Sequence, residues 1–189
     1  MTDKIVFDIE TKNTFADVGG QEYVGKLEVS VVGTYSYARD EYRCFEEHEL
    51  AEVGELFQHA HLLIGFSSKR FDLPVLQKHF RFNLSSIPHF DILEEVEKVL
   101  GRRIGLGLLA EANVGVGKTA HGLDAIDFYR NGEMEKLKSY CLQDVKITKE
   151  IYDLICARKY LWVPQRNMPQ MEKITFLYEE EKPSQNSLL

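Results

Sequence analysis

Four carboxylates and one tyrosine, spread over three short segments, are the residue types that a metal-dependent site uses. Asp8 and Glu10 lie in the segment FDIET, Asp72 lies in KRFDLPVL, and Tyr140 and Asp144 lie in YCLQDV. Because carboxylate oxygens are hard ligands, they favour Mg²⁺ or Mn²⁺ over zinc. The sequence therefore predicts a site for divalent cations, provided that folding brings the three segments together.

The first pair of acids lies in a segment with the pattern of a β-strand. Side chains two residues apart share one face of a sheet, so Val6, Asp8 and Glu10 are expected on the same face. The alternate positions are apolar and are expected to face the core: Ile5, Phe7 and Ile9. Two like charges about 4 Å apart repel by about 4 kcal/mol at an effective dielectric near 20. A bound cation would remove this repulsion; the alternative is a strand end whose acids point into water.

The second segment, HLLIGFSSKRFDLPVLQKHF, has the pattern of a strand, a polar turn and a helix. Asp72 falls in the first turn of this helix, where a carboxylate also interacts favourably with free backbone N–H groups and the helix dipole. Capping and metal binding therefore both remain open for Asp72.

The third segment lies in the helix with the clearest pattern in the chain, from Lys136 to Lys159, where apolar residues recur at helical intervals. Tyr140 and Asp144 are four residues apart and so share one helix face. This spacing predicts a phenol and a carboxylate within reach of one bound water. The alternative for Tyr140 is an ordinary half-buried aromatic side chain.

Taken in order, FDIET, the F-D pair after a strand and turn, and Y-x-x-x-D on the late helix resemble the three exonuclease motifs of the DEDD superfamily, which has the ribonuclease H-like fold. The resemblance covers about residues 3 to 156. Tyr140 stands four residues before Asp144, as in the DEDDy branch, whereas the histidine-containing branch would have His at the position of Ser139. The chain thus resembles stand-alone 3′–5′ exonucleases related to the proofreading domains of DNA polymerases.

This resemblance implies roles for individual residues. Asp8, Glu10, Asp72 and Asp144 would bind two Mg²⁺ or Mn²⁺ ions, and Tyr140 would orient the water that hydrolyses a phosphodiester bond. Further substrate contacts are expected from six residues: Thr11, Ser67, Lys69, Arg70, Lys118 and His121. Ser67 is a departure from the pattern, because many relatives have Asn five residues before the acid of the second motif.

The fold class expected from this resemblance is α/β, ribonuclease H-like, with a mixed central sheet flanked by helices on both faces. Strands are expected in KLEVSVVGTYSYA and YRCFEE, as a hairpin around ARDE, and a helix in ELAEVGELFQHA. We divide the chain into an exonuclease domain (1–162), a C-terminal extension with a possible edge strand (163–178) and a disordered acidic and polar tail (179–189).

Two glycine-containing strings resemble nucleotide-binding motifs only superficially. ANVGVGKT has Ala112 where a P-loop needs its first glycine, and it does not follow a clear strand. GLGLLA follows the amphipathic stretch ILEEVEKVLGRR instead of a strand, so it predicts a helix end and the start of the next helix.

Composition limits the partners of the chain. Its 189 residues carry a net charge of −7, with three cysteines that lack metal-ligand spacing. Three cysteines without such spacing fit a reducing compartment. The sequence also shows no signal sequence and no long apolar run, so we expect a cytoplasmic protein with no membrane partner. The expected partner is a 3′ end of DNA or RNA, and association with other nucleic-acid enzymes stays open.

Two other functions remain as alternatives. One is a nuclease fold that has lost catalysis and binds nucleic acid or protein, and the presence of all four acids and the tyrosine argues against it. The other is a metal-dependent endonuclease or transferase on the same sheet, and the tyrosine-type third motif argues against that.

Overall fold

The computed structural model describes residues 3–116, 122–165 and 170–179. Within these ranges the strands are β1 (Asp3–Thr11), β2 (Val29–Ser36), β3 (Glu41–Glu46), β4 (Ala60–Gly65), β5 (His89–Asp91), β6 (Tyr160–Pro164) and β7 (Met171–Thr175). The α-helices are α1 (Phe15–Val18), α2 (Leu50–Gln58), α3 (Asp72–Leu76), α4 (Ile92–Leu100), α5 (Leu106–Val114), α6 (Gly122–Arg130) and α7 (Met134–Arg158). Short 3₁₀ helices span Gln21–Lys26, Glu47–Glu49, Gln77–His79 and Leu84–Ser86.

Five strands form one mixed sheet in the order β3-β2-β1-β4-β5. The β1–β2 and β2–β3 pairs are antiparallel, and the β1–β4 and β4–β5 pairs are parallel. Thus β1 lies in the middle of the sheet, and its residues are buried or half-buried along its length. The predicted hairpin of β2 and β3 is confirmed, whereas β5 was not predicted from the sequence.

The alternation of side chains along β1 divides the core into two layers. Ile5, Phe7 and Ile9 pack with residues of α2 and α3 on one face of the sheet. Val6 packs with residues of α4, α5 and α7 on the other face. Helices therefore cover both faces of a mixed sheet, which confirms the predicted fold class.

The predicted long helix is confirmed as α7, which runs from Met134 to Arg158. It lies across β1 and β2 on the same face as Val6. The string GLGLLA is confirmed as a helix boundary: α4 ends at Leu100, followed by Gly101 in the left-handed conformation with a φ of 71°, and α5 begins after Gly105.

Strands β6 and β7 pair with each other in a separate two-stranded sheet and do not extend the main sheet. The strand that we allowed for in the C-terminal extension is therefore half of a hairpin, and its partner β6 crosses the boundary that we set at residue 162. Leu161, Val163 and Ile174 are buried in the core layer of α7. The predicted disordered tail, apart from residue 179, lies outside the described residues. Among the described helices, none has the length and apolar character needed to cross a membrane.

Candidate functional site

Three of the four predicted acids converge at one place on the sheet. Asp8 and Glu10 project from β1 toward α7, and Asp144 projects from α7 toward them. One carboxylate oxygen from each residue lies within 4.8 Å of the other two. Glu10 and Asp144 are 9% and 5% exposed, so their charges are largely withdrawn from water.

A close approach between α7 and the sheet brings Asp144 to the strand acids. Gly33 on β2 pairs with Asp8 across the sheet, and α7 passes directly over it. A Cβ at this position would lie 2.8 Å from the Sγ of Cys141 and 2.9 Å from a Val145 methyl group. The Cys141 thiol in turn donates to the backbone carbonyl of Asp8 at 3.5 Å. The absent side chain at Gly33 thus sets the distance between Asp144 and Asp8.

The thiol of Cys141 adds no negative charge to this cluster. A hydrogen bond with Cys44, burial and the neighbouring Asp8 charge raise the pKa of Cys141 well above its ordinary value. Cys141 is therefore a neutral packing residue at the junction between helix and sheet.

Asp72 lines the same cleft but lies outside the tight group of three acids. It is the first residue of α3 and is 3% exposed. Burial raises the pKa of Asp72 to about 8, while hydrogen bonds from the backbone of Asp72 and Ile9 oppose this rise. The nearby charge of Asp91 raises the pKa further. Without a cation, burial therefore favours the protonated form of Asp72 at neutral pH.

Tyr140 and Thr11 also line the cleft. Tyr140 lies one helical turn before Asp144 and is 9% exposed. Thr11 is buried at the end of β1, after an irregularity in its pairing with β2, and its hydroxyl donates to the carbonyl of Asn13 at 2.9 Å. The predicted face-sharing of Tyr140 and Asp144 places both side chains at the acid cluster.

Ser67 lies in the turn after β4 with a φ of 63°, a left-handed conformation that non-glycine residues adopt rarely. Its hydroxyl accepts a hydrogen bond from the guanidinium of Arg103 at 3.1 Å. Both residues line the cleft with the acids. This pair adds hydrogen-bond donors to the lining of the cleft that holds the acids.

The buried carboxylate of Asp91 holds this turn in place. It accepts hydrogen bonds from the backbone N–H groups of Ser67 at 2.9 Å and Lys69 at 3.0 Å, and it also caps α4. Our sequence analysis did not identify Asp91. The sequence does contain a helix-capping pattern that could have identified it. Asp91 is followed three residues later by Glu94, at the start of an amphipathic helix.

The other predicted substrate contacts have different surroundings. Arg70 lines the cleft, with its guanidinium bound to Glu97 at 2.9 Å. Lys69 borders a separate surface cavity instead, and its ammonium is bound by Glu94 at 2.5 Å. Lys69 was predicted to contact the substrate, and in the structure a carboxylate of helix α4 binds its ammonium beside this other cavity. Lys118 and His121 lie outside the described residues.

The cleft has a volume of about 740 Å³ and apolar as well as charged walls. Phe15, Phe66 and Phe71 lie along it, and the rings of Phe15 and Phe71 meet edge to face at 5.8 Å. Sequence reasoning missed these aromatic walls, because nothing in the local pattern separates them from core residues. The cleft therefore offers flat apolar surfaces next to a concentration of carboxylates.

The donor set fits divalent metal ions. Three carboxylates within 4.8 Å of one another repel strongly in a partly buried site unless a cation lies between them. All of the convergent side-chain ligands are oxygens, which suits Mg²⁺ or Mn²⁺. Asp8, Glu10 and Asp144 would hold one such ion, and Asp72 lies in the same cleft to support another.

Comparison with solved structures gives a fold relative. The structure of the family B DNA polymerase from the hyperthermophilic archaeon Pyrobaculum calidifontis matches 82% of this chain with a TM-score of 0.61 and 15% sequence identity. The match covers 24% of the polymerase, so this chain spans about a quarter of that protein's length. At this identity the likeness is one of fold.

A search of curated proteins finds no match. A family model described as the RNase_H superfamily matches residues 5–156, a range that contains most of β1, the turn after β4 and most of α7. This range includes every acid of the cleft and exceeds half of the chain. The chain therefore belongs to the RNase H superfamily.

Proposed function

We propose that this protein is a metal-dependent 3′–5′ exonuclease that hydrolyses phosphodiester bonds at single-stranded ends of DNA or RNA. The observation that carries the proposal is the convergence of Asp8, Glu10 and Asp144 beside Tyr140, with Asp72 in the same cleft. The superfamily and a DNA polymerase as a fold relative support a nucleic acid as the substrate.

Under this proposal the four carboxylates hold two Mg²⁺ or Mn²⁺ ions. Such ions, when bound, lower the pKa of water and stabilise the charge that develops on the leaving oxygen. The carboxylates of Asp8, Glu10 and Asp144 fix the ions against the central strand and α7. Because burial raises the pKa of Asp72, its ionised form is favoured at neutral pH only when a cation lies beside the carboxylate.

Tyr140 orients the attacking water. A tyrosine hydroxyl can donate and accept hydrogen bonds, so Tyr140 can hold a water in place without serving as the base. The position one helical turn before Asp144 places the hydroxyl next to a carboxylate that attracts the same water.

Other residues that line the cleft hold the substrate. Arg103, with no salt bridge among the described residues, presents a guanidinium to a phosphate, and the Ser67 hydroxyl supplies a further hydrogen bond. The rings of Phe66 and Phe71 offer surfaces for the terminal base or sugar. Cys44, Cys141 and Cys156 form no disulfide among the described residues, which supports activity in a reducing compartment such as the cytoplasm.

The test is digestion of single-stranded 12-mers, labelled at the 5′ end, in Mn²⁺ with a chelator control. The expected product is a ladder that shortens from the 3′ end. Asp144→Asn should lower the rate by about 100-fold or more, because the loss of one ligand removes about 3 kcal/mol of transition-state stabilisation. Glu135→Gln, an exposed acid in the first turn of the same helix, is the matched control and should retain activity.

Three outcomes decide among the functions. A 3′ ladder that depends on Asp144 supports the exonuclease. Internal cuts would assign an endonuclease instead. Calorimetric uptake of Mn²⁺ with no hydrolysis of either nucleic acid would assign a binding module and overturn the proposal.

A further inference from the structure

The hairpin of β6 and β7 has one face in the core and one face in solvent. Because side chains alternate along a strand, Leu161 and Val163 point inward while Tyr160 and Trp162 point outward. Lys173 lies directly across from Trp162 on β7. Trp162, the single tryptophan of the chain, is 37% exposed. An indole this accessible, on a strand whose neighbouring residues are buried, is available for a ligand.

The backbone of Trp162 is held firmly although its ring is exposed. Asn113 on α5 accepts a hydrogen bond from the Trp162 N–H at 2.8 Å and donates to the Trp162 carbonyl at 2.7 Å. Arg158 donates to the same Asn113 oxygen at 2.8 Å. Both backbone groups of Trp162 are thus satisfied by α5, and the strand is fixed with the indole outward. A rigid aromatic surface loses little entropy when a ligand stacks on it.

Two cationic side chains, Lys173 and Arg158, lie beside the outward face of the hairpin. The Lys173 ammonium lies 3.9 Å from the centroid of the Tyr160 ring, and the Arg158 guanidinium carbon lies 4.8 Å from it. Neither side chain forms a salt bridge with another described residue, in contrast to Lys69 and Arg70. The nearby acid Glu172 belongs to the opposite face of the hairpin by strand alternation. The outward face is therefore locally positive on a chain of net charge −7.

Two residues adjacent in sequence, Arg102 and Arg103, contact the hairpin and the cleft respectively. Arg102 donates to the carbonyl of Pro164, the last residue of β6, at 2.8 Å. The next residue, Arg103, lines the cleft and binds Ser67. The segment that carries these two arginines thus connects the end of the hairpin with the lining of the cleft.

We propose that the outward face of the hairpin, formed by Tyr160, Trp162 and Lys173, binds the single-stranded nucleic acid that precedes the terminal nucleotide, with one base stacked on Trp162. This inference rests on the proposed exonuclease function and adds a second contact to it. Aromatic rings interleaved with cations suit a single strand, because bases stack on the rings while Lys and Arg contact the phosphates. A strand leaving the cleft passes Arg103 and Arg102 to reach this face.

The fluorescence of the single tryptophan tests the inference directly. The full-length protein is titrated in a chelator, which prevents hydrolysis, with a single-stranded 12-mer and separately with a dinucleotide. The 12-mer should change the Trp162 emission with saturation, and the dinucleotide, which the cleft alone can hold, should change it little. An unchanged emission with the 12-mer overturns the inference and leaves the face to a protein partner.

Variants separate stacking from charge. Trp162→Ala should weaken 12-mer binding, followed by anisotropy of a labelled strand, by about tenfold or more, and Trp162→Phe should restore most of it. Lys173→Gln should reduce the slope of log affinity against log salt by about 0.7, the value for one phosphate contact on a single strand. Tyr42→Ala is the matched control, since Tyr42 is 38% exposed on β3 at the far edge of the sheet, and it should bind as the wild type does.

Hydrolysis separates this inference from the proposed function. Trp162→Ala should raise the KM for the 12-mer about tenfold with little change in kcat, and Trp162→Phe, which also reports on folding, should reverse the effect. If the 12-mer is degraded from its 3′ end with the same KM by wild type and Trp162→Ala, the exonuclease stands and the hairpin contact is wrong. If Trp162 responds to the 12-mer but no strand is cut, the contact stands and the exonuclease is wrong.

Discussion

Gly33 offers a test of how the fold positions the site, because it lies under α7 and carries no catalytic group. A Cβ at Gly33 would approach Cys141 Sγ to 2.8 Å, about 0.6 Å short of the 3.4 Å at which ordinary contact begins. Val145 would be almost as close, at 2.9 Å. Gly33→Ala therefore forces α7 away from the sheet by about half an ångström, or forces both side chains out of their rotamers.

Two magnitudes follow from this geometry. Overpacking of a buried contact costs about 1–3 kcal/mol, and this loss should lower Tm by about 2–4 °C per kcal/mol for a chain of this size. The clashing residues flank Asp144 on α7, so the same movement carries Asp144 away from Asp8. Because misplacement by about 1 Å can cost about 100-fold in rate, half of that shift should lower kcat about tenfold. The protein should remain folded at 25 °C while its activity falls.

The assay is a urea unfolding curve together with exonuclease kinetics on the same preparation. Cys141→Ala removes the nearest clashing atom, so Gly33→Ala/Cys141→Ala should recover part of both the stability and the rate that Gly33→Ala loses. Gly105→Ala is the control, since a Cβ there meets nothing within 4 Å, and it should change stability by less than about 1 kcal/mol. If Gly33→Ala keeps full rate, or if the double variant shows only the sum of the two single effects, the close approach at Gly33 does not position Asp144.

Three further predictions concern single side chains. Tyr140→Phe removes only the hydroxyl, so calorimetry should show unchanged Mn²⁺ affinity while kcat falls about 100-fold, and full turnover would contradict the role of Tyr140. Arg103→Gln should raise KM for single strands about tenfold by loss of a charge-assisted hydrogen bond, whereas the exposed Arg81→Gln should not. Burial lowers the pKa of His89 from its ordinary 6.5 to about 4, so the stability that its neutral ring contributes is present above pH 6.5 and is lost as pH falls toward 4. This loss amounts to up to about 3 kcal/mol of the free energy of unfolding. In urea unfolding at pH 7, 5 and 4, His89→Gln should lose less stability with falling pH than the wild type does. An equal pH dependence in the two proteins would contradict this role of His89.

The elements that carry the acids could be predicted because each is set by a local pattern. The alternation of Ile5, Phe7 and Ile9 with the acids defines β1, and the apolar period over 25 residues defines α7. Strand β5 was missed because it has only three residues, too few for a period, and it exists through its pairing with β4. The pairing of β6 with β7 was not predicted, because the sequence indicated only a possible edge strand in 163–178; Pro164 is accommodated at the end of β6.

The arrangement of Asp72 could be predicted only in part. Its place at the start of a helix follows from the turn and the apolar pattern after it, and the structure agrees. Sequence alone could not show the surroundings of its carboxylate. The carboxylate receives hydrogen bonds from its own backbone and from Ile9, yet burial still raises its pKa to about 8. Burial depends on β1 and on the neighbouring Asp91, which are remote in sequence.

The part of the cleft lining formed by Ser67 and Arg103 could not be predicted, because hydrogen bonds between distant segments determine it. Ser67 has a left-handed backbone that its own neighbours in sequence do not favour. Asp91, 24 residues later, stabilises that conformation by accepting the backbone N–H of Ser67, and Arg103 then binds the Ser67 hydroxyl. A serine in place of the asparagine of the related motif is therefore not simply a weaker contact. Ser67 hydrogen-bonds with both Asp91 and Arg103, and Arg103 adds a guanidinium to the lining of the cleft. This cation therefore comes from a segment that lies outside the second motif.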